Sequence, residues 1–214
     1  MRSFGLIAAL TLAGCATAPT YPVRSPALAP PGPSRYATLP RADLQSELFS
    51  CNGGSGSNLG PIGAGGEAKL YTPYIYTPAG ELLRNPAEGA CLSSGFGWRG
   101  AADGGGREHT GVDLANANGG YVYAAADGWV TFADWRGGYG LVLEIDHGQG
   151  VRTLYAHLSE LDPSLAPGRF VQAGAAVARM GATGNATGVH LHYEVSVDGL
   201  KVDPLAYGAE AAEG

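Results

Sequence analysis

Four of the five histidines in this chain lie in three short runs, one of which also carries an aspartate. The runs read HTGVD (109–113), YAHL (155–158) and HLHYEV (190–195). Imidazole nitrogen and carboxylate oxygen are the ligands that Zn²⁺ takes when thiolates are not used, and a catalytic zinc takes three protein ligands and keeps a fourth position for water. The runs offer five candidates for three places: His109, Asp113, His157, His190 and His192. The two histidines left over would suit acid–base and oxyanion chemistry.

The last run continues as HLHYEVSV and alternates polar with apolar residues. This period of two predicts a half-buried strand, with His190 and His192 on the same face. Asp198-Gly199 follows as a two-residue turn signal. The strand should therefore be the first arm of a tight hairpin.

The other two runs are less regular. TLYAHL (153–158) alternates weakly and predicts a strand with Tyr155 and His157 on one face. His109 and Asp113, four residues apart, could share a face on a strand or on a helix. Glycine argues against a helix here, because it recurs at 104–106, 111 and 119–120.

Any one of these histidines taken alone is more typical of a hydrogen-bonded core or surface residue than of a metal ligand. The combination predicts a metal site, because a pair on one strand face, an HxxxD run and a further histidine between them are an improbable coincidence. The fifth histidine, His147 in IDHGQG, has no paired ligand. We predict that it is a solvated residue of a hairpin turn.

Composition predicts an all-β or β-rich fold. The 214 residues include 35 glycines and 14 prolines, and the sequence shows no long helical pattern. We expect a single domain built from hairpins such as 121–134, 141–157 and 190–202. The net charge is −6 and the lysines are Lys69 and Lys201 alone, so the sequence indicates no nucleic-acid partner.

The N-terminus has the features of an export signal. Arg2 is followed by an apolar stretch over 4–12 that is too short to cross a bilayer as a stable helix, and Leu12-Ala13-Gly14-Cys15 resembles the lipobox of bacterial lipoproteins. We predict a signal peptide over residues 1–14 and lipidation of Cys15, with an ordinary cleaved signal or a buried helix as the alternative. Ala16 stands where many inner-membrane lipoproteins carry aspartate, so the resemblance implies the outer membrane.

Residues 15–50 are predicted to be a lipid-anchored tether. Seven prolines lie between residues 16 and 40, which favours extended polyproline II segments, and a disordered spacer is the alternative. RADLQSELFS (41–50) could form a short helix. The Gly/Ser-rich residues 51–66 are predicted to be a loop, and residues 208–214 a flexible tail.

Cys51 and Cys91 remain once Cys15 is assigned to a lipid. In an exported protein, an oxidising compartment makes a disulfide between them the expected state. A role as zinc ligands is less favoured, because neither cysteine lies in a CxxC pair and the histidines and aspartate already fill a site.

The chain resembles the lysostaphin-type, or LytM-like, zinc endopeptidases of peptidoglycan over about residues 67–207. The shared runs follow in the family's order: SSGFGWR (93–99), HTGVDLA (109–115), AAADGWVTFADWRGGYGLVLEIDHG (124–148), TLYAHLS (153–159), GATGNATGVHLHYEV (181–195) and VDP (202–204). The resemblance implies an antiparallel sheet crossed by a groove, with one zinc ion on the floor of the groove and loops as its walls.

The resemblance also implies a role for each candidate residue. His109, Asp113 and His192 would bind zinc, while His157 and His190 would act in catalysis. The implied activity is hydrolysis of the stem or cross-link peptides of peptidoglycan in the bacterial cell envelope, on the periplasmic side of the outer membrane.

Two other functions remain possible at this stage. Some relatives lose ligands and activate other wall hydrolases, so the chain could be an outer-membrane lipoprotein that regulates a cell-wall amidase without cleaving the wall. That role predicts a groove narrowed or plugged by residues 16–50 or 52–66. A weaker alternative is a wall-binding protein whose zinc only stabilises the fold. The intact pair His157 and His190 argues against both, since neither role needs these residues.

Overall fold

The computed structural model describes residues 32–40, 42, 47–51, 68–100 and 106–208. The predicted signal peptide, Cys15, most of the 51–66 loop and the tail beyond residue 208 lie outside these ranges. No helix in the described part of the chain is long and apolar enough to cross a membrane.

The described residues form short strands and one 3₁₀ turn, Gly137–Tyr139. The strands, in chain order, are β1 Glu47–Phe49, β2 Ala68–Leu70, β3 Tyr74–Thr77, β4 Gly80–Leu83, β5 Cys91–Ser94, β6 Gly97–Gly100, β7 Gly106–His109, β8 Val112–Ala115, β9 Tyr121–Tyr123, β10 Gly128–Trp135, β11 Leu141–Gly148, β12 Val151–Leu161, β13 Phe170–Val171, β14 Ala176–Met180, β15 His190–Val197 and β16 Leu200–Val202.

Most of these strands belong to one ten-stranded antiparallel sheet. Its order is β13-β10-β11-β12-β15-β8-β5, with β14 joining β12 to β9 and with β16 paired to β15. The remaining strands form two-stranded ribbons, β1 with β2, β3 with β4 and β6 with β7. This arrangement confirms the predicted β-rich, antiparallel fold. The adjacent strands β12, β15 and β8 carry most of the candidate site residues.

Strand β15 separates the hydrophobic core from the face that carries its histidines. Leu191, Tyr193 and Val195 have no solvent exposure and belong to the main core cluster. Tyr193 lies opposite Tyr155 of β12, with ring centroids 5.5 Å apart. Burial of a large apolar side chain stabilises a fold by about 1.5–3 kcal/mol. These residues therefore fix the register of β15 and hold both of its histidines on the opposite face, as the alternation predicts.

Two of the three predicted hairpins are confirmed. Strands β11 and β12 pair with each other, and so do β15 and β16. Asp198 and Gly199 between the latter have φ values of 50° and 80°, and a type I′ turn requires positive φ at both central residues. The predicted hairpin at 121–134 is wrong, because β9 pairs with β14, and β10 pairs with β11 and β13. Local alternation indicates a strand but does not select its partner.

Part of the predicted tether packs on the domain. Ser34 donates its hydroxyl to Asp162 Oδ2 at 2.6 Å, and the backbone N–H groups of Arg35 and Tyr36 lie 3.1 and 3.2 Å from the same oxygen. Tyr36 is buried, with its ring edge-on to Tyr121 at 5.4 Å between centroids. Three hydrogen bonds to one carboxylate oxygen hold this stretch in place, so an extended tether does not describe it.

The predicted helix over residues 41–50 is wrong at its end, where β1 pairs with β2. The next two residues continue towards the main sheet. Ser50 forms a bridge with Leu92, and the Cys51 N–H donates to the Leu92 carbonyl at 3.0 Å. Pairing between distant segments outweighs the weak helix preference of this stretch.

Cys51 and Cys91 form a disulfide, with their Cα atoms 5.1 Å apart. The bond joins Cys51, which follows β1 and the bridge residue Ser50, to Cys91, the first residue of β5. Strand β5 pairs with β8, which carries Asp113. The disulfide thus ties the N-terminal strand to the part of the sheet that supports a candidate ligand.

Replacing Cys51 with serine is expected to lower the free energy of unfolding by about 3–4 kcal/mol, because the bond restricts a long loop in the unfolded chain. The two cysteines are 40 residues apart in sequence. Chemical denaturation without reductant measures the effect. Added reductant should bring the wild type to the stability of the variant and leave the variant unchanged. Two reactive thiols at Cys51 and Cys91 in unreduced native protein would contradict the bond.

His147 is not the solvated turn residue that the sequence predicts. It lies in β11, where its Nδ1 is 2.8 Å from the Asp127 carbonyl and its Nε2 is 2.8 Å from Thr153 Oγ1. Thr153 Oγ1 is also 3.0 Å from the buried hydroxyl of Tyr155. Since a carbonyl only accepts, the His147 proton lies on Nδ1 and Nε2 accepts from the threonine. Asp127 lies just before β10 and Thr153 lies in β12, so the pattern of β11 itself does not reveal these contacts.

Acidification is expected to remove the stability that His147 contributes. Burial lowers the pKa of His147 below the ordinary value of 6.5, so the unfolded chain takes up the proton more readily than the folded protein. The contribution is therefore present above about pH 6.5 and is lost as the pH falls below it. The wild type should be more stable than His147→Gln above about pH 6.5, and this difference in the free energy of unfolding should become smaller on acidification. A difference that stays constant or grows would contradict this assignment.

Candidate metal centre

Three side chains converge where β7, β8 and β15 meet. Asp113 of β8 and His192 of β15 are register partners, and His109 is the last residue of β7. Gly111 permits the close approach of β8 to β15, because a Cβ at this position would collide with the Tyr193 carbonyl oxygen. A side chain at the glycine position of the HTGVD run would therefore not fit. The run brings both of its candidate ligands to the same site.

The three side chains direct one atom each towards a common point. His109 Nε2 lies 3.1 Å from Asp113 Oδ1 and 3.0 Å from His192 Nδ1, and the latter two atoms are 2.8 Å apart. The side chains are at most 13% exposed. Among the residues that the structure describes, they are the one cluster of three such ligands.

Outer hydrogen bonds orient both histidines of this cluster. His109 Nδ1 is 2.6 Å from the Gly95 carbonyl, and His192 Nε2 is 3.0 Å from Glu194 Oε1. Glu194 Oε1 only accepts, so Nε2 of His192 carries a proton. His109 Nδ1 is held from two sides, because a guanidinium nitrogen of Arg99 also lies 2.6 Å from it. The inner nitrogens, Nε2 of His109 and Nδ1 of His192, are therefore the ones available to a metal.

Arg99 orients the aspartate. A guanidinium nitrogen of Arg99 lies 2.6 Å from Asp113 Oδ2, which leaves Oδ1 facing the two histidines. Burial opposes ionisation of Asp113, but hydrogen bonds with His109 and His192 outweigh it and hold the pKa of this carboxyl well below its usual range. Asp113 is therefore a carboxylate at neutral pH.

This donor set fits zinc. Two imidazole nitrogens and one carboxylate oxygen, each held by an outer partner, are what a three-ligand zinc site uses. Three such atoms this close together require a proton or a cation between them. Although burial opposes it, hydrogen bonds to Asp113 and Glu194 raise the pKa of His192. Metal binding must therefore displace a proton, and acid should weaken it.

His157 reaches the site through an irregularity in β12. Its φ is 60°, in the left-handed region, and one extra residue separates Tyr155 from Leu158 in the pairing with β11. Such a bulge re-aims a side chain. His157 faces His190, with ring centroids 4.7 Å apart, whereas Tyr155 is fully buried in the core. The prediction that Tyr155 and His157 share a face is wrong because of this bulge.

Carbonyl groups orient His157 and His190 as well. Nδ1 of His157 is 2.8 Å from the Thr183 carbonyl, and Nδ1 of His190 is 2.8 Å from the Gly188 carbonyl. In each ring Nδ1 therefore carries the proton and Nε2 keeps its lone pair. His190 Nε2 is 3.8 Å from Asp113 Oδ1. Burial lowers the pKa of His157, so this ring is neutral and able to accept a proton at neutral pH.

The five side chains share a cleft of about 320 Å³. The described parts of the N-terminal segment, at 32–40, 42 and 47–51, do not line it, and the predicted loop 52–66 lies outside the described residues. A larger depression of about 760 Å³ lies beside residues 34–39 and contains none of the five. The remaining residues that line the cleft are mostly polar or small: Arg99, Arg107, Glu108, Thr110, Gly138, Tyr139, Asn185 and Thr187.

Sequence analysis missed Glu194, which is 1% exposed behind His192. Burial opposes its ionisation, but hydrogen bonds from His192, Lys201 and Thr110 lower the pKa of the Glu194 carboxyl to about 2. The alternation of HLHYEV was a signal that could have found it, since Glu194 and His192 lie two residues apart on one strand face. Arg99 was missed too, and no comparable local signal points to it.

Residues 107–204, which contain all five candidate residues, match the sequence profile of Peptidase family M23. The chain carries a peptidase family M23 domain. The family resemblance seen in the sequence is thereby confirmed. The division of the five residues into ligands and catalytic groups stays a prediction.

Two curated relatives are similar to this M23 domain. DD-carboxypeptidase/endopeptidase Mpg of Neisseria meningitidis serogroup B is 45% identical over 107 residues, which cover 50% of this chain and 24% of the relative. Murein hydrolase activator NlpD of Escherichia coli K12 is 34% identical over 125 residues, which cover 58% of this chain and 30% of the relative. The chain thus spans 24% and 30% of the lengths of these two proteins.

A solved structure has a similar fold. The zinc containing peptidase from Vibrio cholerae aligns with a TM-score of 0.55 and 27% identity, over 69% of this chain and 53% of that chain. This likeness agrees with the antiparallel architecture of the M23 domain described above.

Proposed function

We propose that this chain is a zinc-dependent endopeptidase that hydrolyses the cross-link or stem peptides of bacterial peptidoglycan. The observation that supports the proposal is the pair His157 and His190, whose Nδ1 atoms are held by carbonyl groups beside the cluster of His109, Asp113 and His192. A zinc site that only stabilised the fold would need the three ligands but not the oriented pair.

The pair supplies the proton transfers of the proposed reaction. A zinc ion held by the three ligands would polarise the scissile carbonyl and lower the pKa of water. Nε2 of His157 or of His190 accepts the proton of the attacking water, and burial suits His157 to this step because it lowers the pKa of the ring. The protonated imidazole then donates to the developing oxyanion and passes the proton to the leaving amine.

The cleft suits a short peptide with small side chains. Its walls present polar groups from Thr110, Asn185 and Thr187, and Gly138 allows the Asn185 side chain to pack closely against the backbone. A cleft of this kind would bind bulky apolar side chains poorly. We propose the D-alanyl–diaminopimelate cross-link as the target, and the name of the Neisseria relative, a DD-carboxypeptidase/endopeptidase, supports this choice.

A second function is favoured by the similarity to NlpD, which is named as a murein hydrolase activator. In that role, the chain would be an outer-membrane lipoprotein that regulates a cell-wall amidase without cleaving the wall itself. The proposed endopeptidase activity explains the oriented pair His157 and His190, whereas an activator does not require it.

Digestion of isolated sacculi by the purified protein tests the two functions against each other. An endopeptidase should decrease cross-linked dimers and increase monomers in a mass analysis of muropeptides, a chelator should stop the change, and added zinc should restore it. An activator should leave sacculi unchanged alone and should accelerate a cell-wall amidase added to the same assay. Sacculi that stay intact in both assays would overturn both functions.

We also propose that Cys15 carries a lipid that holds the protein on the periplasmic side of the outer membrane. The lipobox-like Leu12-Ala13-Gly14-Cys15 supports this, and the Cys51–Cys91 disulfide suits an oxidising compartment. Cys15→Ser should move the protein from the membrane fraction to the soluble periplasmic fraction, with an unchanged thermal midpoint. A variant that stays with the outer membrane as fully as the wild type would refute lipidation at Cys15.

A further inference from the structure

We propose that Glu194 is a positioning residue for the metal ligand His192, and that Thr110, Tyr139 and Lys201 hold Glu194 in that role. The inference rests on the metal site of the proposed function and extends it to residues outside the ligand set. Glu194 touches His192 through the ring nitrogen that points away from the cluster, with His192 Nε2 and Glu194 Oε1 3.0 Å apart.

Both oxygens of this buried carboxylate are paired. Glu194 Oε1 accepts from the Thr110 hydroxyl, from the Tyr139 hydroxyl at 2.9 Å and from His192. Glu194 Oε2 lies 2.6 Å from the Lys201 ammonium. A buried carboxylate is costly unless it is paired and hydrogen-bonded, so four partners converging on a side chain that is 1% exposed define its position closely.

The position of the Glu194 carboxylate determines which ring nitrogen of His192 faces a metal. Because a carboxylate oxygen only accepts, the His192 proton is held on Nε2, and Nδ1 is directed at Asp113 and His109. A carboxylate behind a ligand histidine fixes the ring orientation and raises the basicity of the inner nitrogen. The Tyr139 ring, 5.7 Å from the His192 ring between centroids, limits rotation of the imidazole from the side.

The β15–β16 hairpin places the Lys201 ammonium beside Glu194. Glu194 follows His192 by two residues on the same strand face, and Lys201 enters after the tight turn at Asp198-Gly199. Lys201 pairs in register with Ser196 of β15. The hairpin therefore connects an exposed turn to the outer side of the metal cluster, which gives it a role beyond extending the sheet.

Glu144 offers a matched control. It lies on β11, on the same face of the sheet as Glu194, because Leu154 of β12 is the register partner of both residues. Its side chain is 19% exposed and pairs with Arg136 at 2.9 Å. It forms no described hydrogen bond or ion pair with the candidate ligands.

Zinc affinity of the full chain tests the inference. Affinity is measured by competition with a chelator in protein stripped of metal and refilled with zinc. Glu194→Ala should bind zinc about 10–100-fold more weakly than the wild type, the usual cost of losing an outer partner of a ligand. Glu194→Gln should lose less, because its amide oxygen can still accept from His192. Glu144→Gln should match the wild type.

A second measurement separates positioning from a purely structural role. In the zinc-loaded wild type, NMR should show the His192 Nε2 proton exchanging slowly with solvent, because it is hydrogen-bonded and buried. This protection should be lost in Glu194→Ala and reduced in Glu194→Gln. A lower thermal midpoint in both variants, with wild-type zinc affinity and an equally protected proton, would overturn the inference. A wild-type protein that binds no zinc would overturn the proposed function itself.

Discussion

Replacing Asp113 or His192 with alanine is expected to weaken zinc binding by on the order of 100-fold or more. Four-ligand structural zinc sites are worth about 10–16 kcal/mol, or roughly 3 kcal/mol for each ligand. A site with only three protein ligands has none to spare. Asp113 also stands between His109 and His192, with its Oδ1 atom within 3.1 Å of both inner nitrogens, so its loss leaves the two imidazoles without their shared partner.

Metal analysis of purified variants measures this effect. His109→Ala should behave like the two variants above, while His157→Ala and His190→Ala should keep one zinc per chain. His147→Gln is a suitable control, because His147 contacts Asp127 and Thr153 rather than the cluster. Loss of zinc in His157→Ala with retention in His192→Ala would show that the division between ligands and catalytic residues is wrong.

Removing either histidine of the oriented pair is expected to reduce muropeptide cleavage by about 10²–10⁴-fold, the usual contribution of a positioned general acid or base. His157 and His190 are held by separate carbonyl groups, so losing one ring leaves the other in place. The double variant should be little worse than the worse single variant, because residues that act as a unit are not additive.

The rate of dimer cleavage in zinc-loaded protein, corrected for zinc content, measures this second effect. Glu144→Gln serves again as a control on the same sheet and should cleave at the wild-type rate. A His157→Ala or His190→Ala variant that keeps both its zinc and its full activity would remove that residue from the mechanism. If both variants did so, the oriented pair would no longer be evidence for the proposed mechanism.

The M23 domain shows how far local patterns can predict a site. Strand alternation places His190 and His192 on one face, because side-chain direction in a strand depends only on the period of two and on which face is apolar. The glycine at position 111 is compatible with a close approach of another backbone. The atom with which a Cβ there would collide, the Tyr193 carbonyl oxygen, lies on another strand, so local sequence does not identify it. The residue types and their spacing therefore named the five candidates, without showing how they approach one another.

Failures of prediction share a physical cause. The 121–134 hairpin was wrong because β9 pairs with β14, a strand far along the chain. The shared face of Tyr155 and His157 was wrong because one extra residue in β12 reverses the alternation. His147 was wrongly predicted to be solvated because its partners, Asp127 and Thr153, come from other segments. Each depends on pairing or contacts between different segments, which the periodicity within one segment does not record.

The sequence by itself determined the chemistry that this chain can offer: histidine and carboxylate donors, a β-rich pattern, and cysteines suited to pairing. These follow from residue type and short-range spacing. Only the tertiary structure decided that Arg99 holds Asp113, that Lys201 pairs with Glu194, and that a bulge turns His157 towards His190. Hydrogen bonds and ion pairs act over about 3 Å, so the outer partners of a site become defined only when folding brings their side chains into contact.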